Sequence, residues 1–213
     1  MTDKNKKMFY KNQAEGIIKK LALRKMEGYY ADNMDEAIKK ILELIGPAQK
    51  SISYGGSMTI DNSDLKDRIK AAGHDLIVRE NCKSDDEIKD LKAKMINSDT
   101  FLMSTNAITL DGELINIDGR GNRVCYLIYG PEQVIVVTGM NKVVKTVDEG
   151  IDRVRNVASP ANTVRLNCDT PCAKAGRCAD CLEHTICCEI VITRASMIPG
   201  RIKVILVGEE LGY

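Results

Sequence analysis

The residues best equipped for chemistry crowd toward one end of the chain. Six of the eight cysteines, Cys168, Cys172, Cys178, Cys181, Cys187 and Cys188, fall between positions 168 and 188. The run Cys172-x5-Cys178-x2-Cys181-x5-Cys187 supplies four thiolates on a loop containing Pro171 and Gly176, with Lys174 and Arg177 to offset their charge. Four soft sulfurs suit zinc or an iron–sulfur cluster. A structural zinc usually takes two Cys-x2-Cys knuckles, whereas one such pair stands here between wider spacings. That favours a [4Fe–4S] cluster over zinc, and leaves free thiols or disulfides as the remaining reading. Cys168 and Cys188 are substitute ligands, and His184 lies inside the last interval. Cys82 and Cys125 stand alone in apolar surroundings and read as buried small hydrophobes, while His74 reads as a cap or surface residue.

A second set of polar residues sits on glycine-bearing turns. In Tyr54-Gly55-Gly56-Ser57-Met58-Thr59 the glycines let backbone amides approach an anion, the following helix start adds positive partial charge, and the Ser57 and Thr59 hydroxyls can donate. The bland alternative is a tight turn with Ser57 as a helix cap. Neither the GxGxxG dinucleotide spacing nor the Gly-Lys-Ser/Thr of a P-loop is present. Asp111-Gly112 is adequately explained as a hairpin turn. Asn106, Asn116, Asp118, Gly119, Gly121, Asn122 and Arg123 exceed what turns need and predict a polar recognition surface for a small anionic metabolite. Lys142, after Gly139-Met140-Asn141, adds charge to that rim, or is the more ordinary solvated lysine near a helix start.

These residues need a scaffold, and the apolar spacing predicts one. From Lys4 to Glu27, Ala14, Ile17, Ile18, Leu21 and Ala22 fall three and four apart, which predicts an amphipathic helix. Asn33 with Glu36 forms a capping-box spacing for a second helix, which Gly46-Pro47 closes. Between the two, Gly28, Tyr29, Tyr30 and Ala31 read as a link whose tyrosines pack where the helices turn. Strands are then expected at 51–54, 76–78, 100–103, 113–117, 134–137, 188–192 and 202–207, with helices after the first two and after Val134-Ile135-Val136-Val137. The lack of alternation in that last strand implies burial on both faces. The architecture is a single α/β domain over 1–213, a three-layer sandwich with a mostly parallel sheet, a helical segment over 1–46 and a cysteine-rich loop over 165–190. In such sheets ligands bind at the carboxyl ends of strands, where the polar turns fall.

Bulk composition narrows the function classes. The 213 residues are 44% hydrophobic and carry 31 Lys+Arg against 30 Asp+Glu, a net charge of +1. That balance provides no global field for nucleic acid or an anionic membrane. The opening Thr-Asp-Lys-Asn-Lys-Lys is not an apolar leader, and no window approaches the roughly 18 uncharged residues of a membrane span. A cytoplasmic place is expected.

Four stretches together are similar to a known family. They are Ser53-Tyr54-Gly55-Gly56-Ser57-Met58-Thr59, the segment from Asn106 through Asp111-Gly112-Glu113-Leu114, Asn116, Asp118-Gly119 and Gly121-Asn122-Arg123-Val124, then Thr170-Pro171-Cys172-Ala173-Lys174, and Gly208-Glu209-Glu210-Leu211-Gly212-Tyr213. Nearly the whole chain resembles the LUD (lactate utilization) domain family, in its short stand-alone branch with a cysteine-bearing C-terminal segment. The resemblance implies a Rossmann-like α/β sandwich akin to the sugar-phosphate isomerase and CoA-transferase group. It also implies a link to oxidation of lactate to pyruvate by a multi-subunit complex, although the ferredoxin-type Cys-x2-Cys-x2-Cys-x3-Cys run and any flavin or nicotinamide fingerprint are missing here. The expected partners are a small anionic metabolite and either further copies of the chain or subunits of a redox complex. A non-catalytic accessory subunit with a structural metal, and a transferase or isomerase acting on an acyl or sugar-phosphate substrate, are the alternative functions.

Overall fold

The computed structural model describes residues 3–78 and 84–213. Cys82 lies outside the described residues. The chain opens with α1 (Lys4–Leu23), whose buried Tyr10, Ala14, Ile17 and Leu21 form one stripe. The expected link is in fact a strand, β1 (Glu27–Ala31), so the N-terminal segment is not purely helical. Gly28 permits this: a Cβ there would lie 2.9 Å from side-chain atoms of Ile18 and Leu21, so the strand packs directly on α1. Helix α2 (Met34–Ile45) starts at Asn33, whose side chain accepts from the Glu36 amide at 3.0 Å, while Glu36 accepts from Asp32 N at 3.1 Å.

The next segment supplies β2 (Ser51–Tyr54), α3 (Met58–Asp61), α4 (Leu65–Ala71), the short β3 (Asp75–Leu76), α5 (Asp85–Ile96) and β4 (Thr100–Met103). Ser84 and Glu87 close a full capping box on α5. A hairpin of β5 (Ala107–Thr109) and β6 (Leu114–Asp118) turns at Gly112, whose φ is +87°. Then come α6 (Val124–Ile128), β7 (Gln133–Gly139), β8 (Val143–Val144), α7 (Val147–Arg153) and α8 (Ser159–Arg165), the last two joined by one π-helical turn over Val154–Ala158. The chain finishes with α9 (Pro171–Ala175), β9 (Glu189–Thr193) and β10 (Ile202–Val207).

Six strands pair in parallel in the order β1-β10-β7-β4-β2-β3. Their buried residues divide by parity. Val134, Val136, Val204, Leu206, Phe101 and Met103 join α1 on one face, and Ile135, Val137, Ile205, Val207 and Leu102 join α2 and α4 on the other. Burial on both faces explains why these strands are continuous apolar runs. The result is a Rossmann-like α/β fold with helices on both sides of the sheet.

The strands expected over 113–117 and 188–192 do not enter that sheet. With β5 and β8 they form a second sheet, β8-β5-β6-β9, in which β6 pairs antiparallel with both neighbours. Ile115 and Ile117 on β6 pack against Val154 and Ala158, while Leu114 reaches the core around α1. No helix among the described residues is long and apolar enough to cross a membrane.

Candidate functional site

The topology opens a crevice at the carboxyl ends of β2, β4 and β7. The chain leaves β2 through α3, whose Ile60 belongs to the core with α2, and leaves β4 through β5, whose Ile108 belongs to the core with α1. Neighbouring parallel strands whose exits go to opposite faces leave a gap between them, the usual ligand position in open α/β sheets. A cavity of about 490 Å³ occupies it.

Eight of the twelve residues expected to bind an anion line this cavity: Gly56, Ser57, Asn106, Asp118, Gly119, Asn122, Arg123 and Lys142. Gly55, Thr59, Asn116 and Gly121 stand behind it. Gly55 is a clearance residue, because a Cβ there would fall 2.8 Å from the Arg123 side chain and 3.1 Å from the Phe101 ring. Gly121 turns the chain with φ +63°. Asn116 is fully buried; its Oδ1 accepts from Asn106 N at 3.3 Å, and its Nδ2 has no partner among the described residues. Ser57 takes the cap position of α3 without a side-chain cap bond, and α3 is a single turn, so helix-start charge contributes little here.

Charge in the cavity is distributed differently from the expectation. Asp118 is buried and answered completely by Arg123, whose Nε donates to Oδ1 at 2.8 Å and whose backbone amide donates to Oδ2 at 2.8 Å. Arg123 Nη2 also donates to Asn106 Oδ1 at 2.9 Å and to the Ile117 carbonyl at 3.0 Å. Arg123 is therefore an internal organiser of the wall. Lys142, expected on the rim with a solvated surface lysine as the ordinary alternative, is only 3% exposed, which rules out that alternative. Its Nζ donates to Ser104 Oγ at 3.2 Å and Thr59 Oγ1 at 3.3 Å. Burial, with the Arg153 and Arg123 guanidiniums adding to it, pushes its pKa down to about 7.

The sequence reading missed the helical wall. Ser159, Asn162 and Arg165 recur every third residue along α8 and all line the cavity, as do Arg120, Ile186 and Tyr213. Arg165 is exposed, and its guanidinium donates to Asn162 Oδ1 at 2.8 Å. The apolar spacing predicted a helix through Val147, Ile151, Val154 and Val157 and did not reach α8; the cavity-facing stripe depends on the π-helical turn before it and on α9 and Cys187 beside it.

The cysteines form the neighbouring wall. Cys172 is buried, with the Thr170 and Thr163 hydroxyls 3.3 and 3.5 Å from its sulfur. Cys178 Sγ accepts from Arg155 Nε at 3.3 Å and from Asp180 N at 3.4 Å. Cys187 Sγ lies 3.3 Å from Ser159 Oγ. Burial pushes the Cys187 thiol up, and the hydrogen bond to Ser159 offsets part of that rise. Among the described residues no group of three or more His, Cys, Asp or Glu side chains stands in a metal-holding arrangement, and the cysteines there are free thiols. Lys174 pairs with Asp169 at 2.8 Å, and Arg155, which the sequence did not single out, is a cation in contact with Cys178. Cys125 is exposed and His74 is buried, each opposite to its expected place.

Comparison with known proteins fits this architecture. The crystal structure of a DUF162 family protein from Deinococcus radiodurans is similar in fold, with a TM-score of 0.50 and 20% identity over 94% of this chain and 98% of that one. No curated protein matches the chain. The LUD domain profile matches residues 14–207, from α1 to the end of β10, and the chain belongs to the LUD domain family.

Proposed function

We propose that this protein binds a small anionic metabolite, a carboxylate or a phosphate ester, in the cavity at the ends of β2, β4 and β7, and acts in organic-acid redox metabolism. One observation carries the reading. Lys142, Arg120 and Arg165 all line the cavity without a carboxylate partner among the described residues, while its carboxylate, Asp118, is already neutralised by Arg123. The exposed Arg120 and Arg165 guanidiniums offer an incoming anion charge-assisted hydrogen bonds, and the buried Lys142 amine belongs to the same lining. Ser57, Ser104 and Asn122 add neutral hydrogen-bonding groups around the same space. Family membership connects the chain to lactate utilization, which puts small hydroxy and oxo acids first among the candidates.

The second part of the proposal concerns Cys172, Cys178, Cys181 and Cys187. They would hold a [4Fe–4S] cluster, or zinc as the alternative. The soft donor set fits either, and Arg155 beside Cys178 offsets thiolate charge. A bound cluster supplies one-electron transfer; the residues around it hold the loop against α8 through the Cys187–Ser159 contact. Free thiols in this number agree with a reducing, cytoplasmic setting.

A thermal-shift panel of lactate, pyruvate, sugar phosphates and acyl-CoA compounds tests the cavity. Stabilisation by at least one acidic compound, weakened by added salt, is expected. A panel that leaves the melting temperature untouched at low salt removes the anion-binding reading.

A further inference from the structure

Lys142 has surroundings that a simple electrostatic clamp does not need. A clamp lysine keeps its charge by facing water or a carboxylate; this one is 3% exposed, and among the described residues its amine hydrogen-bonds to the hydroxyls of Thr59 and Ser104. The C-terminal segment closes over it. Gly212 sits so near that a Cβ would fall 2.9 Å from Thr59 Oγ1 and 3.4 Å from Lys142 Nζ, and Leu211 N is held by Asn141 Oδ1 at 3.1 Å. Lys142 nevertheless belongs to the cavity lining, and it is buried there whereas Arg120 and Arg165 are exposed.

We infer that Lys142 is a nucleophile that forms an imine with the carbonyl carbon of a small acidic substrate, an oxo acid or the phosphate ester of a carbonyl compound. The inference rests on the anion-binding reading above, which places the acidic group near Arg120 and Arg165. Three cations share this neighbourhood, Lys142, Arg123 and Arg153, and a guanidinium does not release its proton in a protein. The lysine is the group that yields, which is why burial and the two arginines bring it to about 7 and leave an uncharged fraction of the amine near neutral pH.

The step balances without an oxidant or reductant. The Nζ lone pair attacks the carbonyl carbon, a C–N bond forms, and the carbonyl π pair moves to oxygen. That oxygen takes a proton from the attacking nitrogen, with the Ser104 and Thr59 hydroxyls in place to relay it. The remaining nitrogen lone pair forms the C=N bond as the oxygen departs as water, its second proton coming from the remaining N–H of the former amine through the same hydroxyls. Hydrolysis reverses the sequence and restores the amine.

The test uses the intact wild-type protein. Pyruvate and dihydroxyacetone phosphate are supplied in separate arms, sodium borohydride is added to reduce any imine, and peptide mapping by mass spectrometry locates the adduct. Lactate, which has no carbonyl, is the control. Melting temperature is followed in parallel without borohydride. One reduced adduct per chain, on the peptide containing Lys142 and absent with lactate, is expected; the arm that gives it identifies carboxylate or phosphate as the acidic group. A melting shift with no adduct at Lys142, or adducts spread evenly over surface lysines, overturns the inference and leaves anion binding standing. No shift and no adduct in either arm overturns both.

Discussion

Arg123 grips Asp118 twice, through its side-chain Nε to Oδ1 and through its own backbone amide to Oδ2, each at 2.8 Å. Oδ2 also accepts from Val124 N at 3.2 Å, so one carboxylate both caps α6 and consumes the arginine's charge. The same guanidinium reaches Asn106 across the cavity wall. This arrangement makes the pair a strut of the cavity wall and, in the proposed function, leaves Lys142, Arg120 and Arg165 to meet an anion.

Truncating the strut should damage the fold. Arg123→Ala leaves a buried carboxylate unpaired, a change that typically costs about 3–5 kcal/mol. Asp118→Asn combined with Arg123→Ala should lose less than the two single losses added together. Urea unfolding of the four proteins measures the coupling. A normal midpoint for Arg123→Ala, with lost anion binding, would make Arg123 a ligand group after all.

Lys142 imposes a slope on stability. Its folded pKa, about 7, lies below the 10.5 of the free side chain, so between those values the unfolded chain carries more of this proton. Stability then rises with pH across that window, and the full burial cost applies below it. Lys142→Met should gain stability at pH 7, and its advantage should shrink by pH 9. Equal advantages at both pH values would contradict the depressed pKa.

Arg165 stands exposed at the cavity, and among the described residues its guanidinium hydrogen-bonds to Asn162 alone. Arg165→Ala should leave the ligand-free melting temperature nearly unchanged, while affinity for a bound anion falls about tenfold, or about 1.4 kcal/mol. Calorimetry of both proteins with whichever compound stabilises the wild type decides it. Undiminished affinity would take Arg165 out of the site.

The cysteine loop and the cavity share a wall at Gly119, where a Cβ would come 2.9 Å from the Ile186 carbonyl, next to Cys187. Gly119→Ala should therefore weaken metal loading and anion binding together. Gly16→Ala, in open space on α1, should affect neither. Iron, zinc and acid-labile sulfide measured on anaerobically purified protein give the first readout, and the wild type is expected to contain iron and sulfide. Cys178→Ser should lose most of both; full retention would exclude the four-cysteine cluster.

Much of this fold is legible in the residues, because fully buried parallel strands such as Val134–Val137 leave an unmistakable apolar run. Strand β1 is harder to read. It is an edge strand paired only with β10, and Glu27, Gly28 and two tyrosines serve it locally much as they would serve a turn. The polar turns announce the cavity since Asn, Asp and Gly gather where side chains must bond to backbone. Lys142 conceals its role for a different reason. A lysine reads as surface, and only the return of Gly208–Tyr213, more than sixty residues later, buries it. Arg165 and Asn162 are likewise placed by the packing of α8 against α9 and the cysteine loop, a relationship that no local spacing encodes.

The proposed function requires that an anion enter the cavity at the ends of β2, β4 and β7. A titration of the ¹⁵N-labelled protein with inorganic phosphate and, separately, pyruvate at low salt tests it most directly, by amide chemical shifts. The account predicts saturable shifts concentrated at Ser57, Asn106, Gly119, Asn122 and Arg165. Shifts confined to other surfaces, or none at millimolar anion, would contradict it.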